Sequence, residues 1–475
     1  MKIKSVKHNY IVKSLSLAAS VIVPLITYPY VSRVIGPSGI GKVEFANSVV
    51  YYFQIIAQLG IPMYGIRACA KVRDDKEKLS RTAQEIIIIN LVTFAVSFAL
   101  LFLSINLVPQ LRVEKKLLYV VSLSILFNTI SVDWLYSALE QYDFLAISSV
   151  AMRLAMIPLM FLLIKSEEDY VKYGLLTVLN AAGYGVINFI SLRRFIILKP
   201  LGNYSFSKHL RPIGTFMAMS IATTIYTRMD TVMIGFINGT TENGFYDAAV
   251  KVKTILVSFI TTLGSVMLPR VSFYLEKGER EKFYDMSSKA LDFVVLVSIP
   301  CTVFFIMFAS QTVMFLSGEQ FANSVLPMQL IMPSIIFIGI TGITGIQMMI
   351  PLGKEKSVLY SEIVGAVVNL VINSLLIPKM GAAGAAIGTV AAEFAVLVCQ
   401  FITLKDVVFM LIKKIGWVKI AFANLIAVFL SLWCSNLVLG AVLFFAGYAV
   451  SLVLMREKMA LEACEALRKQ IHRKI

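Results

Sequence analysis

Residues 33–45, Arg-Val-Ile-Gly-Pro-Ser-Gly-Ile-Gly-Lys-Val-Glu-Phe (RVIGPSGIGKVEF), come within one residue of G-x-x-x-x-G-K-[ST], the loop that cradles nucleotide phosphates. The context excludes that reading. A phosphate loop follows a β-strand and needs Ser or Thr after its lysine to hold Mg²⁺. Here Val43 follows Lys42, and the residues before the loop, from about Leu15 to Ile35, form an apolar run. The run is too long for a signal-peptide core and has no small-residue cleavage site, so it reads as a retained membrane span. Pro37 with Gly36, Gly39 and Gly41 then predicts a tight reversal into the next apolar run.

The same pattern continues along all 475 residues. Apolar runs of spanning length recur at 11–33, 44–66, 84–106, 117–139, 144–164, 173–192, 212–237, 246–268, 290–309, 325–351, 358–377, 384–404, 420–435 and 438–455. The last two are short and separated only by Asn436 and Leu437, so thirteen or fourteen spans fit. No run alternates with period two, which argues against a barrel. With 58% apolar and 15% charged residues and a mean hydropathy of +0.80, the chain lies far from soluble norms. The fold class expected is an all-α integral membrane protein of about 14 transmembrane helices.

Placing the N-terminus in the cytoplasm puts 32 Lys and Arg on cytoplasmic segments, 8 on external loops and the remaining 4 of the 44 inside spans. That asymmetry follows the positive-inside rule. It accounts for the net charge of +16 through an anionic inner leaflet, without nucleic acid. Both termini are then cytoplasmic, and the basic tail 456–475 reads as a short amphipathic helix on the membrane surface. The loops are too short for a nucleotide-binding or catalytic domain. Cys69, Cys301, Cys399, Cys434 and Cys464 are scattered, with no C-x-x-C, and read as small packing residues. His8, His209 and His472 lie outside the apolar runs, against a histidine metal site or proton relay within the membrane.

Two halves echo each other at an offset of roughly 203–213 residues, as transporter folds often do. GKVEFANSV from Gly41 resembles GFYDAAVKV from Gly244, with an acid three residues on (Glu44, Asp247) and a glycine near the far end of the span (Gly60, Gly264). SALEQYDF at 137–144 sits like IPLGKEKS at 350–357, and GLLTVL at 174–179 like AAIGTVAA at 385–392. The expected domains are an N-lobe of six helices (1–195), a cytoplasmic linker (196–211), a C-lobe of six helices (212–404), two added helices (405–455) and the tail.

Charges inside spans are costly and mark function. Four cations fall there: Arg153, Arg228, Lys251 and Lys253, candidates for a cationic cavity receiving an anionic cargo. Lys251 lies four residues from Asp247, so an ordinary helix pair also fits; Arg228 and Asp230 point about 200° apart and are no helix pair. The acids Asp133, Asp230, Glu362 and Glu393 can take up H⁺ or Na⁺, or pair with the arginines as structure. Trp134, Tyr136, Tyr226, Tyr246, Tyr51 and Tyr52 are candidate sugar platforms or interfacial anchors.

With these pieces together the chain resembles the bacterial polysaccharide-transport (Wzx-type) flippases of the multidrug/oligosaccharidyl-lipid/polysaccharide exporter superfamily. The stretch 30–67, KVRDDKEKLS at 71–80 and DWLYSALEQYDFLAI at 133–147 carry the resemblance. One departure is Ala68 after Arg67, where that family commonly has Glu. The resemblance implies two lobes around a central cavity, alternating access, and an undecaprenyl-diphosphate-linked oligosaccharide (O-antigen or capsule repeat unit) moved from the inner to the outer leaflet of the bacterial cytoplasmic membrane. It also implies polysaccharide polymerase or assembly proteins as partners. The more distantly similar lipid II flippases imply a Na⁺ site at Asp230, Asn369, Asn373 and Thr389, with Asn373 standing where an acid is expected. The resemblance implies a transporter rather than an enzyme, with no cofactor beyond a coupling Na⁺ or H⁺. The alternatives are a multidrug or small-molecule antiporter of the same architecture, which four intramembrane cations disfavour, and a membrane glycan polymerase or ligase, which the short external loops disfavour.

Overall fold

The computed structural model describes the backbone of residues 6–413, 415–462 and 465, and their side chains apart from 6–18, 215, 218–227, 262–270, 272 and 406. His8, His472, Cys464, the side chain of Tyr226, the surroundings of Gly264 and most of the tail lie outside the described residues. Among those described, every regular element is a helix and none is a strand. Among the described residues nine helices, or ten counting one bent pair, are long and apolar enough to cross a membrane. The first of these, Ala19–Ala70, takes in residues 19–33 of the first apolar run and all of the second, and Trp417–Ser431 is shorter than the length expected of a span. Large apolar side chains such as Val418, Phe429 and Leu454 are exposed on helix surfaces, as hydrocarbon-facing residues are. The chain is an all-helical, multi-pass membrane protein packed into two units, Met1–Asp247 and Ala248–Ile475.

Where a reversal after the first span was expected, the helix is broken at one residue rather than at three glycines. Gly36 breaks helix Val6–Gln58 with φ 68° and ψ 178°, a conformation that a Cβ would oppose. Pro37, which has no N–H to satisfy, opens the second segment. Gly39 and Gly41 are helical and serve packing. Lys42, the lysine of the apparent phosphate motif, is spent on structure: its Nζ lies 2.9 Å from Glu114 Oε1 and 4.5 Å from the Tyr170 ring centre.

Gly41 and Gly244 explain each other. A Cβ on Gly41 would stand 1.6 Å from the Thr240 carbonyl oxygen and 2.7 Å from the Gly244 nitrogen. A Cβ on Gly244 would stand 1.9 Å from the Pro37 carbonyl oxygen. Thr240 and Gly244 lie 203 residues after Pro37 and Gly41, so the two contacts are one contact seen from each repeat. This reciprocity is the signature of a two-fold-related interface, here between two segments of one chain. Small residues let the two backbones touch, as in close membrane-helix crossings.

The DWLYSALEQYDF stretch is a packing hub. Val132 (φ 44°) separates helix Lys115–Ile130 from the short helix Asp133–Ala138, a break that no proline or glycine announces. Trp134 lies against Gly65, and Tyr136 stacks on Phe144 while its hydroxyl donates to the Asn188 carbonyl. Trp134 and Tyr136 are 5% and 0% exposed, so neither offers a face to a sugar.

The segment before helix Ser207–Ile237 is clamped to the start of helix Lys76–Leu107. That helix is capped by Asp75, whose carboxylate accepts from the backbone N–H of Lys78 and Glu77; these bonds and the Lys78 ammonium hold the carboxyl below its ordinary range. One turn on, Ser80 Oγ accepts from Ile197 N (2.9 Å), and Gln84 Nε2 donates to the Ile197 carbonyl (2.6 Å). Fully buried Glu85 accepts from Ser205 N (2.7 Å), Lys208 Nζ (2.7 Å) and His209 Nε2 (2.8 Å). With Nε2 donating, a neutral His209 accepts at Nδ1 from the Tyr64 hydroxyl, 2.6 Å away. Replacing Glu85 by Leu is expected to cost about 2–4 kcal/mol, less than a fully buried ion pair because Lys208 is half exposed. The check is the melting temperature in detergent together with proteolysis between residues 196 and 206. An unchanged melting temperature and cleavage pattern contradicts the clamp.

In the second unit the tenth apolar run is broken, where one continuous span was expected. Helices Glu319–Ile331 and Ser334–Met349 meet at 45°, with Pro333 at the break, and residues Gly342–Met349 form a π-helix. Helices Glu355–Met380 and Ala382–Thr403 approach closely through Gly384 and Gly388, where a Cβ would meet Leu376 backbone at 2.6 Å and Asn373 Oδ1 at 2.0 Å. The last two runs are separate helices, because Asn436 caps helix Leu437–Leu454 by accepting from Val438 N and Leu439 N at 3.0 Å each. Their Ala423, Ala427, Phe444 and Tyr448 pack on Phe304 and Phe308 of the second unit.

Candidate functional site

Next to the glycine crossing the first unit holds charged and aromatic groups that belong to the apolar runs 11–33, 44–66, 212–237 and 246–268. The Arg228 guanidinium lies over the Tyr51 ring, 5.2 Å from its centre. Asp230, 8% exposed, accepts from the Tyr246 hydroxyl, and the Tyr28 hydroxyl donates to Asp247 Oδ2 at 3.3 Å. Arg228 and Asp230 thus have different partners, as two residues 200° apart on a helix require. A cation, phenol rings and carboxylates side by side can bind an anion through charge and a sugar through aromatic faces.

Arg153 belongs to a second grouping. It lines a cavity of about 300 Å³ with Asp133, Tyr142, Ser149, Asn180 and Tyr184. Asp133 Oδ1 accepts from Asn188 Nδ2 at 2.8 Å, and the Tyr184 hydroxyl donates to Asn128 Oδ1 at 3.1 Å. The structure therefore places Arg153 in one cavity with Asp133, and Arg228 over Tyr51.

The remaining candidates lie in the second unit. Lys251 and Lys253 are half-buried on helix Thr240–Glu276, and Glu362 is half-buried on helix Glu355–Met380. Asn369 and Asn373 share a face, and Asn373 Nδ2 donates to Asn369 Oδ1 at 3.1 Å. Thr389 Oγ1 donates to the Ala385 carbonyl at 3.1 Å, and buried Glu393 stands one turn further along the same face. Asn369, Asn373 and Thr389 offer neutral oxygens of the kind a hard cation accepts, and Glu393 is the acid nearest Thr389 in helical register. Asp230 belongs to the first unit, where it binds Tyr246. Among the described residues no three His, Cys, Asp or Glu side chains are grouped to hold a metal ion.

Two polar clusters escaped the reading of the sequence. His209 is 2% exposed, although it lies outside the apolar runs; its partner Glu85 is 124 residues away, so no local signal announces the pair. Beside the π-helix the Thr344 hydroxyl donates to Gln400 Oε1, with buried Gln347 in the same π-helix. Pro333 and the glycines at 339, 342 and 345 were the available hints.

The fold is that of solved multi-pass transporters. It is similar to the structure of the lipid II flippase MurJ in an inward closed conformation, with TM-score 0.76 and 14% identity over 94% of this chain and 100% of that one. It is also similar to an inward-facing multidrug resistance MATE family transporter of the MOP superfamily, with TM-score 0.62 and 14% identity over 86% of this chain and 99% of that one. Residues 6–275 match the family described as "Polysaccharide biosynthesis protein", and the chain belongs to that family. A relative from Escherichia coli (strain K12), named "Putative O-antigen transporter", is 24% identical over 394 residues, 82% of this chain and 94% of the relative.

Proposed function

We propose that the protein is a flippase that carries a lipid-linked oligosaccharide, its glycan on undecaprenyl diphosphate, from the inner to the outer leaflet of a bacterial cytoplasmic membrane. The observation that carries this reading is the Arg228–Tyr51 contact beside Asp230 and Tyr246, a cationic and aromatic grouping drawn from apolar runs of the sequence. The diphosphate requires cations in a poorly hydrated place, and the sugars require aromatic and polar faces. The family and the O-antigen relative support the same cargo class. Four cations within the apolar runs favour an anionic cargo over the cationic drugs of a multidrug antiporter.

In this reading about fourteen spans form two six-helix lobes and an added pair, with both termini in the cytoplasm. The lobes alternate between leaflets about the Gly41–Gly244 crossing. Arg153, Arg228, Lys251 and Lys253 receive the charged head of the cargo. Asn369, Asn373 and Thr389, with Glu393 supplying charge, hold Na⁺; Glu362 and Glu393 serve instead if protons drive the cycle. The test is a strain lacking the protein. Lipid-linked glycan is expected to accumulate on the inner leaflet and to reach the outer one when the wild-type chain is restored. Replacing Na⁺ by choline at fixed pH is expected to slow export several-fold. Unchanged export contradicts the sodium site and leaves the proton route.

A further inference from the structure

Residues 67–81 carry six basic residues, and the structure divides them evenly. Arg73 pairs with Glu140 at 2.8 Å, Lys78 with Asp75 at 3.1 Å and Arg81 with Glu77 at 3.0 Å. Arg67, Lys71 and Lys76 form no ion pair among the described residues. Arg67 and Lys71 both line one cavity of about 450 Å³, together with Tyr64, Thr82, Lys208 and His209. Lys76 lines a second cavity on the same loop, of about 300 Å³, with Arg73 and Arg194. The acid behind the first cavity, Glu85, is already bound by Lys208, His209 and the Ser205 N–H, so it leaves Arg67 and Lys71 uncompensated.

The place matters as much as the charge. Helix Ile61–Ala70 ends here and helix Lys76–Leu107 begins, so the cavity sits where two candidate spans leave the hydrocarbon. Basic cavities between helices at this level recognise lipid head groups. Arg67 supplies a planar fork of donors, Lys71 a point charge and Thr82 a hydroxyl, donors that together can meet several oxygens of a phosphate group.

We propose that the cavity at Arg67, Lys71 and Thr82 binds a phosphate group, carried by a lipid or free, a site apart from the charged groups within the spans. The proposal does not depend on the transport reading. Because Lys208 and His209 form its wall while holding Glu85, a bound phosphate adds contacts to the clamp that anchors the segment before helix Ser207–Ile237.

The test uses the purified full chain and native mass spectrometry. Phosphatidylglycerol is titrated into neutral detergent micelles in one arm, and inorganic phosphate without added lipid in the other. The double variant Arg67→Gln/Lys71→Gln is expected to weaken phosphatidylglycerol retention about tenfold or more. The variant Lys115→Gln/Lys116→Gln removes the same charge from the exposed start of helix Lys115–Ile130 and is expected to shift retention less than about twofold. Should inorganic phosphate alone bind with the same dependence on Arg67 and Lys71, the site stands and free phosphate is its ligand. If the double variant does not fold, Lys71→Gln at its exposed position is read the same way. Equal losses in both double variants, or no loss in either arm, overturn the proposal.

Discussion

Alanine at Gly41 or at Gly244 removes the protein from the membrane fraction, while alanine at Gly214 leaves its level unchanged: this is the expected result of a mutagenesis experiment read by immunoblot and by thermal melting. Gly214 has open space where its Cβ would fall, and Ala is the better helix former there. At Gly41 and Gly244 the added methyl meets backbone carbonyls at 1.6 and 1.9 Å, which cannot rotate away. The two segments would have to part by more than about 1 Å, against a core packed as densely as a crystal. Overpacking costs about 1–3 kcal/mol where side chains can yield and more where only backbone can move. Because the contacts are reciprocal, the two substitutions are expected to fail alike. Normal levels and melting of both variants would show that the crossing is not what holds these two segments together.

The second large effect is expected at the arginines. Arg228→Ala and Arg153→Ala each lower glycan export by about ten- to a hundredfold at equal protein level, the worth of one charge-assisted hydrogen bond to a phosphate. The two variants differ in what they leave behind. Loss of Arg228 bares the Tyr51 ring, and lysine there restores charge and part of the cation–π contact. Loss of Arg153 removes the cation from the cavity it shares with Asp133, and lysine restores charge without the planar fork. Outer-leaflet glycan measured in the deletion strain distinguishes these cases. Full export by both alanine variants removes the cationic surface from the transport path.

Much of this was legible in the sequence because a bilayer demands it. A run such as 384–404 maps onto helix Ala382–Thr403 within two residues, since hydrocarbon thickness sets its length. The Gly41 and Gly244 echo was visible as a repeat, but that the two glycines touch was not, because a pattern within each segment carries no distance between them. The breaks were harder to see. Val132 takes a left-handed conformation that its residue type disfavours, and the π-helix at Gly342–Met349 has an ordinary apolar composition. Both depend on neighbours distant in sequence, as does the burial of His209 against Glu85. The apparent phosphate loop shows the reverse case: a local motif whose Lys42 is consumed by Glu114 and Tyr170, 72 and 128 residues away.

The most direct measurement places the purified protein in vesicles whose inner leaflet carries a fluorescent lipid-linked oligosaccharide, and follows its exposure to an external glycan-cleaving enzyme. The account predicts that cleavage passes the fraction initially exposed, proceeds to near completion with wild-type protein, and stalls with Arg228→Ala. Cleavage that stops at the same fraction with wild-type protein as in empty vesicles, under both a Na⁺ and a proton gradient, would contradict it.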